Sequence, residues 1–292
     1  MNNEEIKELF RKYNLEVTTI KKANNSYNSK VYIVNTKEKK YILKLTKDKE
    51  KRVNEKKYYN YLYQYVPTSK VLYSSHYKKN EYNIITFLEG KNIYDEECNN
   101  LSTEEILNIG KLLASIHNCP LLSVSKDDSW ISYLNSYIEK AEKELKDLFG
   151  DEDNQLIVTF LKTFLTKKIS NQYENCLLHM DYRVGNIIID KNNKAGIIDL
   201  ESMKNGDYVF DFVKMNRIFN EKNFETFLNG YQTVKKINAD FSEKLKFYSF
   251  FDSYTSLLWC YVNNQKNSDF YKLNYSIVKK YLGDLKNGRW TI

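Results

Sequence analysis

Residues 177–190 read Leu-Leu-His-Met-Asp-Tyr-Arg-Val-Gly-Asn-Ile-Ile-Ile-Asp, and residues 196–201 read Gly-Ile-Ile-Asp-Leu-Glu. The side chains able to do chemistry here are His179, Asp181, Arg183, Asn186 and Asp199. A carboxylate, then an amide five residues on, then a second carboxylate beyond two apolar stretches, suits phosphoryl transfer. That reaction asks a protein for positioning and charge neutralisation more than for covalent work. Asp181 can accept the proton of a substrate hydroxyl. Asn186 and Asp199 offer the oxygen donors that Mg2+ prefers. Residues 187–190 and 196–198 predict a hairpin that brings those two donors to one edge. His179 is expected to brace the loop by hydrogen bonding rather than to carry a proton. Arg183 is expected either to touch the transferring phosphate or to brace the loop.

The frame H-x-D-x-x-x-x-N followed by two apolar strands and Asp is that of a kinase catalytic loop and its metal aspartate. Such a site also needs a lysine for the nucleotide phosphates and a helical glutamate to hold it. The third predicted strand, Tyr41-Ile42-Leu43-Lys44-Leu45, carries one charge among apolar residues. Lys44 is the candidate, unless it is an outward-pointing strand lysine. Glu55 in the next predicted helix is its expected partner, with Glu50 nearby as the competing choice.

The elements that must position these residues follow from periodicity. Ile6, Leu9, Phe10 and Tyr13 recur at helical spacing. Residues 16–23, 30–36 and 40–46 are rich in Val, Ile, Thr and Tyr and read as strands. A helix is predicted over 50–65, then strands over 70–75 and 82–88 about a turn at Lys78-Lys79-Asn80. Residues 90–101 read as a polar connector. Ser102 and Glu105 form a capping box for a helix with the stripe Ile106, Ile109, Leu113 and Ile116. Helices follow over 129–149 and 154–169, short strands over 176–178, 187–190 and 195–199, and helices from about 208 onward. The fold class is α+β: a protein-kinase-like two-lobe fold with a small mixed β-sheet N-lobe over residues 1–89 and a larger, mainly helical C-lobe over 90–292.

Composition narrows the class. With 42% hydrophobic residues and two Pro in 292, the chain can build a core and is neither disordered nor fibrous. No run reaches the roughly 18–20 apolar residues of a membrane span; residues 247–262 read as a core helix. Met1 to Phe10 lack a signal-peptide pattern. Cys98, Cys119, Cys176 and Cys260 are scattered and form no CxxC, which argues against a zinc site or disulfide framework and for a cytoplasmic protein. Residues 1–80 hold 19 Lys and Arg against 8 Asp and Glu. That excess suits a polyphosphate-binding lobe, or is a solvated lysine surface. No RNA-binding motif accompanies it, so no nucleic-acid partner and no membrane are expected. A monomer is the expectation for the oligomeric state.

With these residues in place, the chain resembles the aminoglycoside phosphotransferase and choline kinase superfamily. The resemblance covers most of the chain and is strongest at residues 178–186 and 197–201. Gly206-Asp207-Tyr208-Val209-Phe210-Asp211 is similar to that family's G-D-x-x-x-D segment, and Leu113-Ala114-Ser115-Ile116-His117 to its L-A-x-L-H helix. The resemblance implies that Thr86, Phe87, Leu88 and Glu89 form the hinge that binds the purine, and that Ser29 ends the phosphate-covering loop. Residues 24–29, Asn-Asn-Ser-Tyr-Asn-Ser, lack the glycines of a protein kinase. Met180 stands where the family often has Gly, and Leu200-Glu201 replaces Phe-Gly, so no activation-segment switch is expected. Glu201 is read either as a support of the metal site or as binding solvent or a neighbour. The implied activity is transfer of the γ-phosphate of ATP or GTP, with Mg2+, to a hydroxyl of a small, cationic acceptor, an aminoglycoside first. Alternatives are a metabolic kinase of choline, a sugar or an amino alcohol, and a non-catalytic nucleotide-binding scaffold. Candidate acidic contacts for a cation are Asp207, Asp211, Glu221, Glu225, Asp240, Glu243 and Asp252.

Overall fold

The structure is a computed structural model describing residues 1–23, 29–122, 129–170 and 172–292, the side chains at 95, 96 and 99 apart. It divides into two compact units, each assembled from three chain segments. The first unit comprises Met1–Cys119, His179–Lys204 and Ile218–Lys235.

In that first unit, α1 (Asn3–Arg11) opens on a capping box between Asn2 and Glu5 and buries Ile6, Leu9 and Phe10. Strands β1 (Val17–Lys22), β2 (Lys30–Thr36) and β3 (Lys40–Thr46) run antiparallel, followed by helix α2 (Lys49–Leu62) and strands β4 (Val71–Tyr77) and β5 (Asn80–Thr86). The sheet order is β1-β2-β3-β5-β4. Side chains alternate across a strand, so Tyr41, Leu43 and Leu45 join the α1 cluster while Lys44 faces the other side. There α2, capped by Asp48, presents Glu55, Tyr58, Tyr59 and Leu62 as its buried face. Their i, i+3, i+4, i+7 spacing is an ordinary helix stripe with a carboxylate as its first member.

Strand β6 (Lys91–Asn92) pairs with β8 (Ile187–Ile189), and β8 with β9 (Ala195–Ile197), through the pairs Ile187–Ile197, Ile188–Gly196 and Ile189–Ala195. Helix α3 (Thr103–His117) begins at the predicted capping box and packs against α8 (Glu221–Gln232). His117 Nδ1 lies 3.0 Å from the Tyr231 hydroxyl, so this histidine is a packed member of the helix pair.

The second unit holds Pro120–Leu178, Asn205–Arg217 and Lys236–Ile292. Its helices are α4 (Trp130–Glu144), α5 (Lys146–Phe149), α6 (Asp151–Phe164), α7 (Phe212–Ile218), α9 (Phe241–Val262) and α10 (Asp269–Lys286). Strands β7 (Asn175–Leu178) and β10 (Lys204–Asp207) pair with one another. A buried polar chain crosses this core. Trp130 donates to Tyr248 at 3.0 Å, and Tyr248 donates to Asp207 at 3.0 Å. Lys244 stands 3.6 Å from Asp207 and 2.7 Å from Asp240. Burial raises the Asp207 carboxyl, and Lys244 opposes the rise.

The α+β class and the first three strands stand as the periodicity predicts, β2 and β3 to the residue. The helix predicted over 129–149 is interrupted at Leu145, where the backbone leaves helical angles at ψ +5°; Gly150 at φ +79° then separates α5 from α6, whose first turn carries Asp151, Glu152 and Asp153. The connector at 90–101 contains β6 and a 3₁₀ turn, and β10 carries no alternating pattern; both strands exist only through their partners.

Two glycines set the α3–α8 approach. A Cβ on Gly110 would collide with the carbonyl oxygen of Phe227, and one on Gly230 with that of Leu107. Helix propensity alone makes Gly→Ala stabilising by about 1 kcal/mol. Here Gly110→Ala and Gly230→Ala are each expected to destabilise by about 1–3 kcal/mol through overpacking, read as a lowered denaturation midpoint at constant slope.

Candidate active site

Lys44, Glu55, Asp199, Glu201 and the loop residues 179–186 lie in the first unit. Strand β3 carries Lys44 opposite Val31 of β2 and Asn83 of β5. Its ammonium lies 2.8 Å from Glu55 Oε1, 2.6 Å from Asp199 Oδ1 and 2.8 Å from Glu201 Oε2. An ammonium has three N–H donors, and here each has a carboxylate. One carboxylate oxygen from each of Glu55, Asp199 and Glu201 lies within 4.8 Å of the others, and the Lys44 ammonium bonds to all three residues. Asn83 Nδ2 donates to the second oxygen of Glu55 at 2.7 Å, and Lys51 donates to the second oxygen of Glu201 at 2.8 Å.

Burial opposes charge on Lys44, but Glu55, Asp199 and Glu201 outweigh it and hold its pKa well above the usual lysine range. Burial likewise opposes the Glu201 carboxylate, but Lys44 and Lys51 overcome it and keep that pKa below the ordinary value. Sequence favoured Glu55 over Glu50 as the partner of Lys44, and the geometry pairs Glu55. Glu201 pairs with Lys44 and Lys51.

The loop between β7 and β8 carries the other candidates. The His179 Nε2 group donates to the Ile198 carbonyl at 3.1 Å, and His179 Nδ1 accepts from the Asp181 backbone N–H at 3.2 Å. That is the bracing role expected of it. Asn186 Nδ2 donates to both the carboxylate and the backbone carbonyl of Asp181, each at 2.9 Å. The Asn186 carbonyl accepts from Ile198 N–H at 3.0 Å. Ile198 therefore ties the loop to the strand that delivers Asp199. Arg183 Nε stands 3.5 Å from Asp181 Oδ2, and its guanidinium lies where a side chain at Gly185 would be. Met180 and Asp199 take left-handed backbone at φ +70° and +65°, a costly choice for non-glycine residues. The Asp199 N–H is satisfied by the Tyr59 hydroxyl at 2.9 Å.

The remaining predicted residues are placed as follows. Thr86 ends β5 and exchanges bonds with Lys70. Phe87 lies under Lys40, whose ammonium is 3.3 Å from Glu89, and Leu88 approaches Gly196 of β9. Ser29 is buried just before β2; the rest of the loop at 24–28 lies outside the described residues. In the second unit, Asp207 and Asp211 are buried, Asp240 and Glu243 face Lys244 and Lys168, and Asp252 accepts from Arg217. These acids serve the core or a neighbouring base.

Four contributors escaped the sequence reading. Asn83 breaks the apolar run of β5 opposite Lys44, a signal that was available. Tyr59 and Lys51 are ordinary helix residues in sequence. Asn92, which donates to the carbonyls of Gly185 and Ile187, sits in what reads as a connector.

A family model described as the phosphotransferase enzyme family matches residues 19–242, and the chain belongs to that family. It is accordingly a phosphotransferase of the small-molecule kinase class. Among solved structures it is similar to the GDP and kanamycin complex of APH(2")-IIia, with TM-score 0.75, 13% identity, and 98% of this chain and 99% of that chain covered. It is also similar to ADP-bound aminoglycoside phosphotransferase APH(2'')-Ib, with TM-score 0.70, 18% identity, and 98% and 99% covered. A streptomycin-ATP-APH(2")-IIa ternary complex aligns with TM-score 0.68, 19% identity, and 98% of each chain covered. At these identities the likeness is one of fold. No curated protein matches the sequence significantly. Among the described residues, no helix is long and apolar enough to cross a membrane.

Removing the central ammonium tests the ion cluster. Lys44→Met leaves Glu55, 3% exposed at its side chain, without its cation. Breaking a buried pair in this way is expected to cost about 3–5 kcal/mol at neutral pH. Without Lys44, burial raises the folded-state pKa of Glu55 above its unfolded value. The folded form then binds more protons, so the deficit is expected to shrink as pH falls toward 5. Urea midpoints of both proteins at pH 5 and pH 7.5 check the sign.

Proposed function

We propose that this protein transfers the γ-phosphate of ATP or GTP to a hydroxyl of a small, cationic acceptor of the aminoglycoside kind. One observation carries the reading: a buried Lys–Glu pair across β3 and α2 shares its lysine with Asp199, next to a loop in which Asn186 holds Asp181. The nucleotides of the similar complexes, GDP, ADP and ATP, support a nucleotide donor. Kanamycin and streptomycin in two of them support the acceptor class.

The roles follow from chemistry. Asp181 accepts the hydroxyl proton, its carboxylate oriented by Asn186 and by Arg183 at 3.5 Å. Lys44 meets the nucleotide phosphates as a point charge held from behind by Glu55. Thr86, Phe87, Leu88 and Glu89 offer backbone to the purine, and Ser29 borders the phosphates. Asn186 and Asp199 fit magnesium. Both are hard oxygen donors, and the Asn186 amide spends its nitrogen on Asp181, which turns the side-chain oxygen toward other partners. Bound there, magnesium would neutralise charge on the phosphates. Arg183 adds positive charge beside Asp181 as the hydroxyl loses its proton.

The test is nucleotide consumption with magnesium, ATP and GTP run separately, against aminoglycosides, choline, sugars and amino alcohols. Turnover that requires an aminoglycoside is expected. Asp181→Asn is expected to lower kcat by about 10²–10⁴-fold while leaving nucleotide affinity within a few fold. Turnover only with choline or a sugar would move the acceptor to the metabolic class. A wild-type protein that binds neither nucleotide would overturn the reading.

A further inference from the structure

Kinase chemistry asks for one carboxylate behind the phosphate-binding lysine; Lys44 has two besides Asp199. Glu201 is 2.8 Å from Lys44 and 2.8 Å from Lys51, with a side chain only 12% exposed. The chain around it is fixed as well. Asn54 of α2 donates to the Glu201 carbonyl at 2.7 Å and to the Met203 carbonyl at 3.3 Å, and Leu200 and Met203 are buried. Both carboxylate oxygens of Glu201 are thus engaged by lysines, one on β3 and one on α2.

The three partners of Lys44 are not equivalent. The Glu55 and Glu201 side chains are 3% and 12% exposed, whereas that of Asp199 is 41% exposed. A phosphate oxygen can reach Lys44 only by taking one of its three donors, and the exposed Asp199 is the partner able to give way. The two buried carboxylates then keep the ammonium in place. We propose, on the reading that Lys44 binds nucleotide phosphate, that Glu201 is a positioning residue. It clamps Lys44 from the second side and, through Lys51, locks α2 to the segment after β9. It acts on the phosphates through Lys44 and is not a metal ligand.

The sign of one measurement separates this from simple electrostatics. Removing a carboxylate close to a phosphate site lessens repulsion, so Coulomb's law alone predicts that Glu201→Gln binds nucleotide more tightly. Positioning predicts the opposite. Calorimetric titration in EDTA is expected to show Glu201→Gln binding ADP about tenfold more weakly or worse, the scale of losing one charge-assisted hydrogen bond. Adenosine affinity should be unchanged, since the nucleoside has no phosphate to feel Lys44. GDP and guanosine replace them if that base is preferred. In turnover assays the half-saturating magnesium concentration should stay at the wild-type value. Lys51→Gln, at a side chain 35% exposed, is the companion variant should Glu201→Gln unfold. It should weaken ADP in the same direction but less, and the double variant should be no weaker than Glu201→Gln alone. Unchanged or tighter ADP binding, equal loss of adenosine, a raised magnesium requirement or additive losses would each overturn the proposal. If wild-type protein binds neither ADP nor GDP, the functional reading falls first and this inference with it.

Discussion

One buried ammonium organises this protein. Lys44 draws a side chain from α2, a second from just after the β8–β9 hairpin and a third two residues beyond, so β3, α2 and the segment at 199–201 meet at one nitrogen. Moving these charges out of water is expensive, and mutual attraction repays that cost only with good geometry and satisfied remaining lone pairs. Asn83 and Lys51 supply those remaining contacts. The cluster also disciplines the sheet. A one-residue slip of β3 would turn Lys44 into the α1 cluster and Leu43 or Leu45 toward the carboxylates.

The same economy governs the loop. Ile198 contributes only backbone, yet its N–H holds Asn186 and its carbonyl holds His179. Two residues on the loop and hairpin end, Met180 and Asp199, accept left-handed backbone. Such strain persists where surrounding bonds over-determine it, and here the His179, Asn186 and Tyr59 contacts do so. The result is that the Asp181 carboxylate is held by Asn186 and faced by Arg183.

Glu201 and Leu200, where a protein kinase has Gly and Phe, change what the segment after Asp199 can do. Leu200 is buried and Glu201 is pinned at both oxygens. Asn54 of α2 is also bonded to the backbone on the same stretch. The lysine of β3, the helix α2 and the segment at 199–201 are thus joined in one ionic cluster.

Sequence alone determined the parts of this protein that obey short-range rules. Strand alternation fixed β2 and β3, the Ser102–Glu105 box fixed the start of α3, and the spacing His179, Asp181, Asn186, Asp199 marked the candidate loop, because each is a pattern of residue type at fixed separation. The lone charge in Tyr41–Leu45 even pointed to Lys44. The tertiary structure decided what depends on meeting a distant partner. Strands β6 and β10 have no periodicity of their own and exist because β8 and β7 offer them hydrogen bonds. The interruption at Leu145 is a local change of backbone angle that helical periodicity does not register. Above all, a carboxylate's partner is set by where a 2.8 Å contact can form: Glu201 carries the same charge whether it faces a metal, water or a lysine, and only folding placed Lys44 and Lys51 on either side of it.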